Sequence, residues 1–218
     1  MELILVRHGE TDANRQGKLM GSFGGPSLNP TGRAQADDIA AALKAEPVAH
    51  IYTSPAHRAR ETAEIVSRAI GVPFSELNDF SEIDVGRMVG LTSAELRQQF
   101  PVHYLEWEQD PATARHPGGE TMLELQERTW GAAQALAGKY GDRTVVVVSH
   151  LFAILTVVTR VLEMPLRGFR RIRLEPGAMV RIEPGPDKSE VLSANETWHL
   201  RTRGQDAWAS ASGPDKPC

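Results

Sequence analysis

The chain opens on an unbroken apolar run, Leu3-Ile4-Leu5-Val6, that stops abruptly at Arg7-His8-Gly9-Glu10-Thr11. A second run, Val145-Val146-Val147-Val148, stops in the same way at Ser149-His150. Apolar runs this short, without polar alternation, read as strands buried on both faces. Between them His50-Ile51-Tyr52-Thr53 reads as a third strand that runs into Ser54-Pro55 and a helix carrying Arg58. Gly71-Val72-Pro73 stops that helix. An earlier helix opens at Asn29-Pro30, where Asn29 can cap free amides and proline is tolerated in the first turn. Ile39, Ala40, Ala42 and Leu43 continue it, and Pro47 ends it. Thr92 with Glu95, and Thr121 with Glu124, have the spacing of a capping box and predict helices over 93–100 and 122–139. Segments 177–183 and 190–194 read as later strands, with Gly185-Pro186-Asp187 as the turn between them.

Strands alternating with helices predict an α/β fold, a three-layer α/β/α sandwich around a mostly parallel sheet joined by right-handed crossovers. Ligands in such sheets bind beyond the carboxyl ends of the strands. Three predicted strands end in Arg7-His8, in Ser54 with Arg58 a turn later, and in Ser149-His150. If they are parallel neighbours, all of these groups meet at one edge. With no internal repeat visible, residues 1–203 are expected to form a single domain. Residues 204–218, rich in Ala, Ser, Gly and Pro, are expected to be a mobile tail.

Composition narrows the function. The chain has 218 residues, 41% of them hydrophobic and 24% charged, which is enough apolar material for a large core. A net charge of -4 shows no global cationic excess of the kind that favours nucleic acid. The single cysteine, Cys218, excludes an internal disulfide and a thiolate metal cluster within one chain. Without a leader or an apolar run of membrane length, the expectation is a soluble cytoplasmic protein with no membrane partner. No histidine pair has HExxH-type spacing and no acidic cluster lies near His8, so no metal is expected.

The chemistry must then come from histidine, arginine and carboxylates. A histidine nitrogen can attack phosphorus while a neighbouring guanidinium holds the anionic oxygens in a fork. Gly9 is expected to let the backbone approach a ligand closely or take a positive φ.

The residues resemble the histidine phosphatase superfamily, whose members include phosphoglycerate mutases and many small phosphomonoesterases. The resemblance spans roughly residues 2 to 200. It is carried by Arg7 to Thr11 with Asn14, by Leu28 to Gly32, and by Thr53 to Ala63. Ser81-Glu82, Gly86 through Gly90, Pro117-Gly118-Gly119-Glu120 and Val148-Ser149-His150 complete it. It implies a phosphoglycerate mutase-like fold, with His8 as a nucleophile that forms a phosphohistidine. Arg7, Arg58 and His150 would bind the phosphoryl oxygens, His150 as an imidazolium. Glu82 would protonate the departing alkoxide, and Asn14 would add a further contact.

Two departures bear on substrate choice. Met20-Gly21 stands where phosphatases of the family often carry Gln-Gly, and Leu151-Phe152 replaces the usual small residues after the second histidine. The expected substrate-binding set is Asn14, Met20, Gly21 and Leu151. With Leu19, Phe23, Met88 and Trp107 nearby, such a rim would suit a substrate with an apolar or aromatic part. The resemblance thus implies a phosphomonoesterase of the phosphatase type, acting without a cofactor on a small phosphorylated metabolite. Its alternatives are a mutase-type phosphoryl transfer and a non-catalytic module that binds a phosphorylated ligand. The short segment between Glu82 and Pro117 favours hydrolysis. A homodimer is left open. Asn195 to Leu200 resembles a terminal stretch of phosphatase-type members with no assigned role.

Overall fold

The computed structural model describes residues 1–185 and 188–201. Six strands form one sheet: β1 (Glu2–Arg7), β2 (Val48–Thr53), β3 (Phe74–Glu76), β4 (Thr144–Ser149), β5 (Met179–Glu183) and β6 (Glu190–Glu196), in the order β3-β2-β4-β1-β5-β6. The first four in that order run parallel, while β5 is antiparallel to β1 and β6 to β5. The unalternating apolar runs have a direct explanation here. Leu3, Leu5, Val145 and Val147 enter one core, whereas Ile4, Val6, Val146 and Val148 enter the other. Successive strand side chains point to opposite faces, so a strand covered on both sides must be apolar at every position.

Helices α1 (Asp12–Arg15), α2 (Pro30–Leu43), α3 (His57–Ile70), α4 (Ser93–Gln99), α5 (Pro101–Gln109), α6 (Met122–Tyr140) and α7 (Leu151–Val161) complete the layers. Ile39 and Leu43 of α2 and Ala59, Ala63 and Val66 of α3 cover one face of the sheet. Leu125 and Ala133 of α6, with α7 from Phe152 to Val158, cover the other. The fold is the expected α/β/α sandwich with a mostly parallel sheet. Both anticipated capping boxes form, at Thr92–Glu95 and Thr121–Glu124, and Gly71 ends α3 at φ 73°. Pro186 and Asp187 of the expected turn lie outside the described residues, as does the expected tail over 204–218.

The structure overturns one of the two expectations for Gly9, the positive φ. Its φ is not positive, and the close approach it allows is to protein. A Cβ on Gly9 would lie 2.3 Å from the carbonyl oxygen of Gly32, and one on Gly32 would lie 2.1 Å from that of Glu10. Asn29 fastens the same two segments: its Oδ1 accepts from Gly32 N at 2.8 Å, while Nδ2 donates to Glu10 Oε1 at 2.8 Å. The backbone after β1 is thus pressed against the start of α2. Gly32→Ala should lower stability by about 1–3 kcal/mol, because backbone rather than a flexible side chain blocks the methyl group. Gly138→Ala, in α6 with nothing within 4 Å, should instead raise it by about 0.5–1 kcal/mol. Denaturant unfolding of both variants checks this, and a Gly32→Ala protein as stable as the parent would contradict it.

Candidate active site

The register of the sheet brings the predicted groups together. Arg7 of β1 pairs with Ser149 of β4, and Thr53 of β2 pairs with Val148, so three parallel strands end at one level. The ladder continues past the strand ends, since His8 N donates to Ser149 O and Ser54 N to Val148 O, each at 3.0 Å. Backbone hydrogen bonds therefore fix where His8 and Ser54 stand.

The hydrogen bonds of His8 determine its tautomer. Nδ1 lies 2.7 Å from the carbonyl of Gly9, which can only accept, so Nδ1 carries the hydrogen. Nε2 accepts from Arg58 Nε at 3.2 Å, so it presents a lone pair. Burial, with the charges of Arg58 and Arg7, pushes the His8 pKa well below its ordinary value. His8 is therefore neutral at neutral pH, the form in which imidazole is a nucleophile.

Arg7, Arg58 and His150 surround it, none more than 2% exposed. Arg7 Nη1 donates to Leu174 O at 2.6 Å, and Arg58 Nη2 donates to Gly21 O at 3.1 Å. Nη1 of Arg58 is buried without a hydrogen-bond partner. Burial lowers the Arg58 pKa to about 10, partly offset by the charge of Glu82, and the group stays cationic at neutral pH. The His150 ring lies 5.2 Å from that of His8, edge to face. Its Nε2 is 2.7 Å from Ser54 Oγ. That hydroxyl accepts from Ala56 N at 3.3 Å, and among the described residues His150 Nε2 is the one acceptor for its own hydrogen, so it donates to Nε2. The ring hydrogen of His150 then sits on Nδ1, a second buried donor with no partner. Burial and the nearby Arg58 also push the His150 pKa well down, which favours the neutral ring over the expected imidazolium.

Glu82 is 8% exposed and lines the pocket with Arg7 and His8, where it is the only carboxylate among the described lining residues. Its Oε1 accepts from Ile83 N at 2.9 Å and Ala153 N at 3.3 Å, and Oε2 accepts from Phe152 N at 3.4 Å. The carboxyl thus occupies the amino end of α7, whose N-cap His150 supplies no side-chain cap. Burial raises the Glu82 pKa, opposed by the Ile83 amide and by Arg58.

The four expected substrate contacts divide. Asn14, Met20 and Leu151 line the pocket. Asn14 Oδ1 is committed to capping α1 through Thr11, which leaves its Nδ2 hydrogens for other partners. Gly21 lies outside the lining set and holds Arg58 through its carbonyl. Sequence reasoning did not single out Lys18, an exposed cation of the same lining. Leu19, Met88, Trp107 and Phe152, expected at an apolar rim, wall a chamber next door together with Val85, and that chamber shares Leu19, Val85 and Phe152 with the pocket. His116, whose pKa burial and His103 hold at about 3, lies with its ring 4.7 Å from that of Trp107, tilted by 32°, in that wall. Phe23 is 66% exposed and lines neither space.

The stretch 195–200 supports the site from behind. The His199 imidazole bonds through Nε2 to Gly177 O at 3.0 Å, and Gly177 N in turn donates to the carbonyls of Arg7 and His8 at 3.1 Å. Among the described residues no group of three or more His, Cys, Asp or Glu side chains could hold a metal ion, and no helix is long and apolar enough to cross a membrane.

Known proteins resemble this chain in sequence and fold. Phosphoserine phosphatase 1 of Hydrogenobacter thermophilus is 28% identical over 92% of this chain and 94% of its own. The uncharacterized phosphatase PhoE of Bacillus subtilis is 34% identical over 91% and 96%. Among solved structures, Bacillus stearothermophilus YhfR superposes with a TM-score of 0.85 at 29% identity, covering 91% of this chain and 98% of that one. A phosphoserine phosphatase mutant from Entamoeba histolytica, in complex with phosphoserine, gives 0.82 at 27%, with the same coverage. The model of the histidine phosphatase superfamily, branch 1, matches residues 3–197, and this chain belongs to that family.

Proposed function

We propose that the protein hydrolyses a small phosphate monoester through a phosphohistidine on His8. The observation that carries this reading is the pair of buried donors beside a nucleophilic lone pair: Arg58 Nη1 and His150 Nδ1 lack partners next to His8 Nε2. Unpaired buried donors are costly, and phosphoryl oxygens satisfy them. An oxygen that takes the Arg58 hydrogen bond also frees the Nε2 lone pair for attack.

In the first step Nε2 bonds to phosphorus and the ester P–O bond breaks, its electron pair leaving with the alkoxide. Glu82 gives that oxygen a proton. In the second step water attacks phosphorus and the P–N bond breaks. Glu82, now a carboxylate, takes the water proton, and His8 is restored. Arg7, Arg58 and His150 hold the equatorial oxygens in both steps, supplying the charge stabilisation without a metal ion. Every named side chain comes from one chain, so a second copy is not required. We assign the catalytic unit to residues 1–203 and the activity to the cytoplasm.

For the alcohol portion of the substrate, the pocket offers Asn14 and Lys18 on one side and the apolar chamber on the other. We infer that the chamber takes an apolar or aromatic part. The phosphoserine acted on by relatives is the natural competitor, with Lys18 as the cation for its carboxylate.

Alkaline quenching during turnover, followed by mass spectrometry, should find an acid-labile phosphate on His8. His8→Ala should lose about 10³-fold or more in kcat/KM, and near-normal turnover would contradict the nucleophile assignment. Leu19→Asn tests the chamber. It should lower kcat/KM for naphthyl phosphate about tenfold, the order expected for losing apolar contact over one side chain, while sparing glycerol phosphate. Equal losses on the two esters would contradict that substrate preference.

A further inference from the structure

Arg128 of α6 uses all five of its guanidinium hydrogens, three on carbonyls of the segment that carries Glu82 and two on Glu120. Nη1 donates to the carbonyls of Asp79 at 2.7 Å and Ser81 at 2.9 Å. Nη2 donates to the carbonyl of Glu82 at 3.1 Å and to Glu120 Oε1 at 2.6 Å, and Nε donates to Glu120 Oε2 at 3.1 Å. A guanidinium has five hydrogens, so its capacity is filled. Residues 81–85 belong to no helix or strand, and no ladder fixes their carbonyls. The arginine does.

Glu120 closes the arrangement from the other side. Its Oε1 accepts from Asp84 N at 2.9 Å, and its own backbone N–H donates to Asp84 O at 2.9 Å. The glycines around it allow the approach. A Cβ on Gly119 would lie 2.0 Å from Asp84 O, and one on Gly86 would lie 2.4 Å from Pro117 O. Pro117-Gly118-Gly119-Glu120 therefore has a physical purpose although none of its side chains lines the pocket with His8. It seats a carboxylate and a bare backbone against residues 84–86, and that carboxylate orients Arg128.

We infer that Arg128, braced by Glu120, is a positioning residue for the proton donor, holding residues 79–84 so that the Glu82 carboxyl stays between the pocket and the amides of α7. The inference rests on the proposed role of Glu82 as the acid. A lysine cannot replace the arginine, because one ammonium cannot span three carbonyls and a carboxylate in a planar fork.

A merely structural arginine would, when removed, slow all esters alike. A positioning residue for an acid acts only where an acid is needed. Alkyl phosphates release a poor leaving group, whereas p-nitrophenyl phosphate releases a phenolate that is stable without protonation. The test is the single-turnover rate of His8 phosphorylation with both esters in the parent and in Glu82→Gln, Arg128→Met, Arg128→Lys and Glu82→Gln/Arg128→Met. Arg128→Met and Arg128→Lys should each slow the alkyl ester about tenfold or more and the nitrophenyl ester by less than about threefold. The double variant should be no slower than Glu82→Gln alone on the alkyl ester, since both changes remove one function. Equal slowing of both esters by the Arg128 variants, or multiplicative losses in the double variant, would overturn the inference while leaving Glu82 as the acid. Equal slowing of both esters by Glu82→Gln would instead overturn the role of Glu82, and the inference with it. Should the Arg128 variants not fold, Glu120→Gln carries the same comparison: it keeps the shape of the brace and loses its charge. A loss confined to the alkyl ester would support the inference, and equal losses would overturn it.

Discussion

The structure answers one constraint above all, the removal of two guanidiniums and two imidazoles from water at a single sheet edge. Charges so buried are costly unless each is paired or hydrogen-bonded. The imidazoles meet that demand by staying neutral, His8 through burial and two arginines, His150 through burial and Arg58. Arg58 is held by the Gly21 carbonyl and the His8 ring, with the Glu82 charge acting on it from across the pocket. Carbonyls orient a guanidinium without cancelling its charge. The cation is left available to an anionic ligand, with Nη1 still free of a hydrogen-bond partner.

Much of the surrounding architecture fixes that cluster in place. Gly9 and Gly32 allow two backbones to meet, Asn29 locks them, and the 174–178 segment receives Arg7 at Leu174 and is braced by His199. Residues that look like a scattered signature along the chain are thus neighbours in one framework, some touching the reaction centre and others holding those that do.

The two apolar runs were legible as central strands because full burial on both faces leaves a pattern that nothing polar interrupts. The site was legible because parallel strands must end at the same edge, so Arg7-His8, Ser54 and Ser149-His150 could be placed together before any coordinates. Other features left weaker traces. Helix α7 is buried from Phe152 through Thr159 beneath the sheet and α6, and an apolar run so short cannot be told from a buried strand by its pattern alone. The short strand β3, three residues long, is below the length at which alternation can be read. The capping of α7 by Glu82 joins residues about 70 positions apart, and no local pattern encodes such a pairing. The same holds for Arg128, which on sequence is one more cation on a helix. The packing of Gly9 against Gly32 is likewise a contact between distant segments that no local pattern announces.

The account's central claim is that phosphorus changes partners twice, first to His8 Nε2 and then to water. The most direct measurement is the stereochemical course at phosphorus, using a monoester made chiral with oxygen isotopes and an acceptor alcohol in place of water. Each in-line displacement inverts the centre, so two displacements return the starting configuration. The account predicts net retention. Net inversion would mean that the acceptor attacks the ester directly, and His8 would then be a phosphate-binding group rather than the nucleophile.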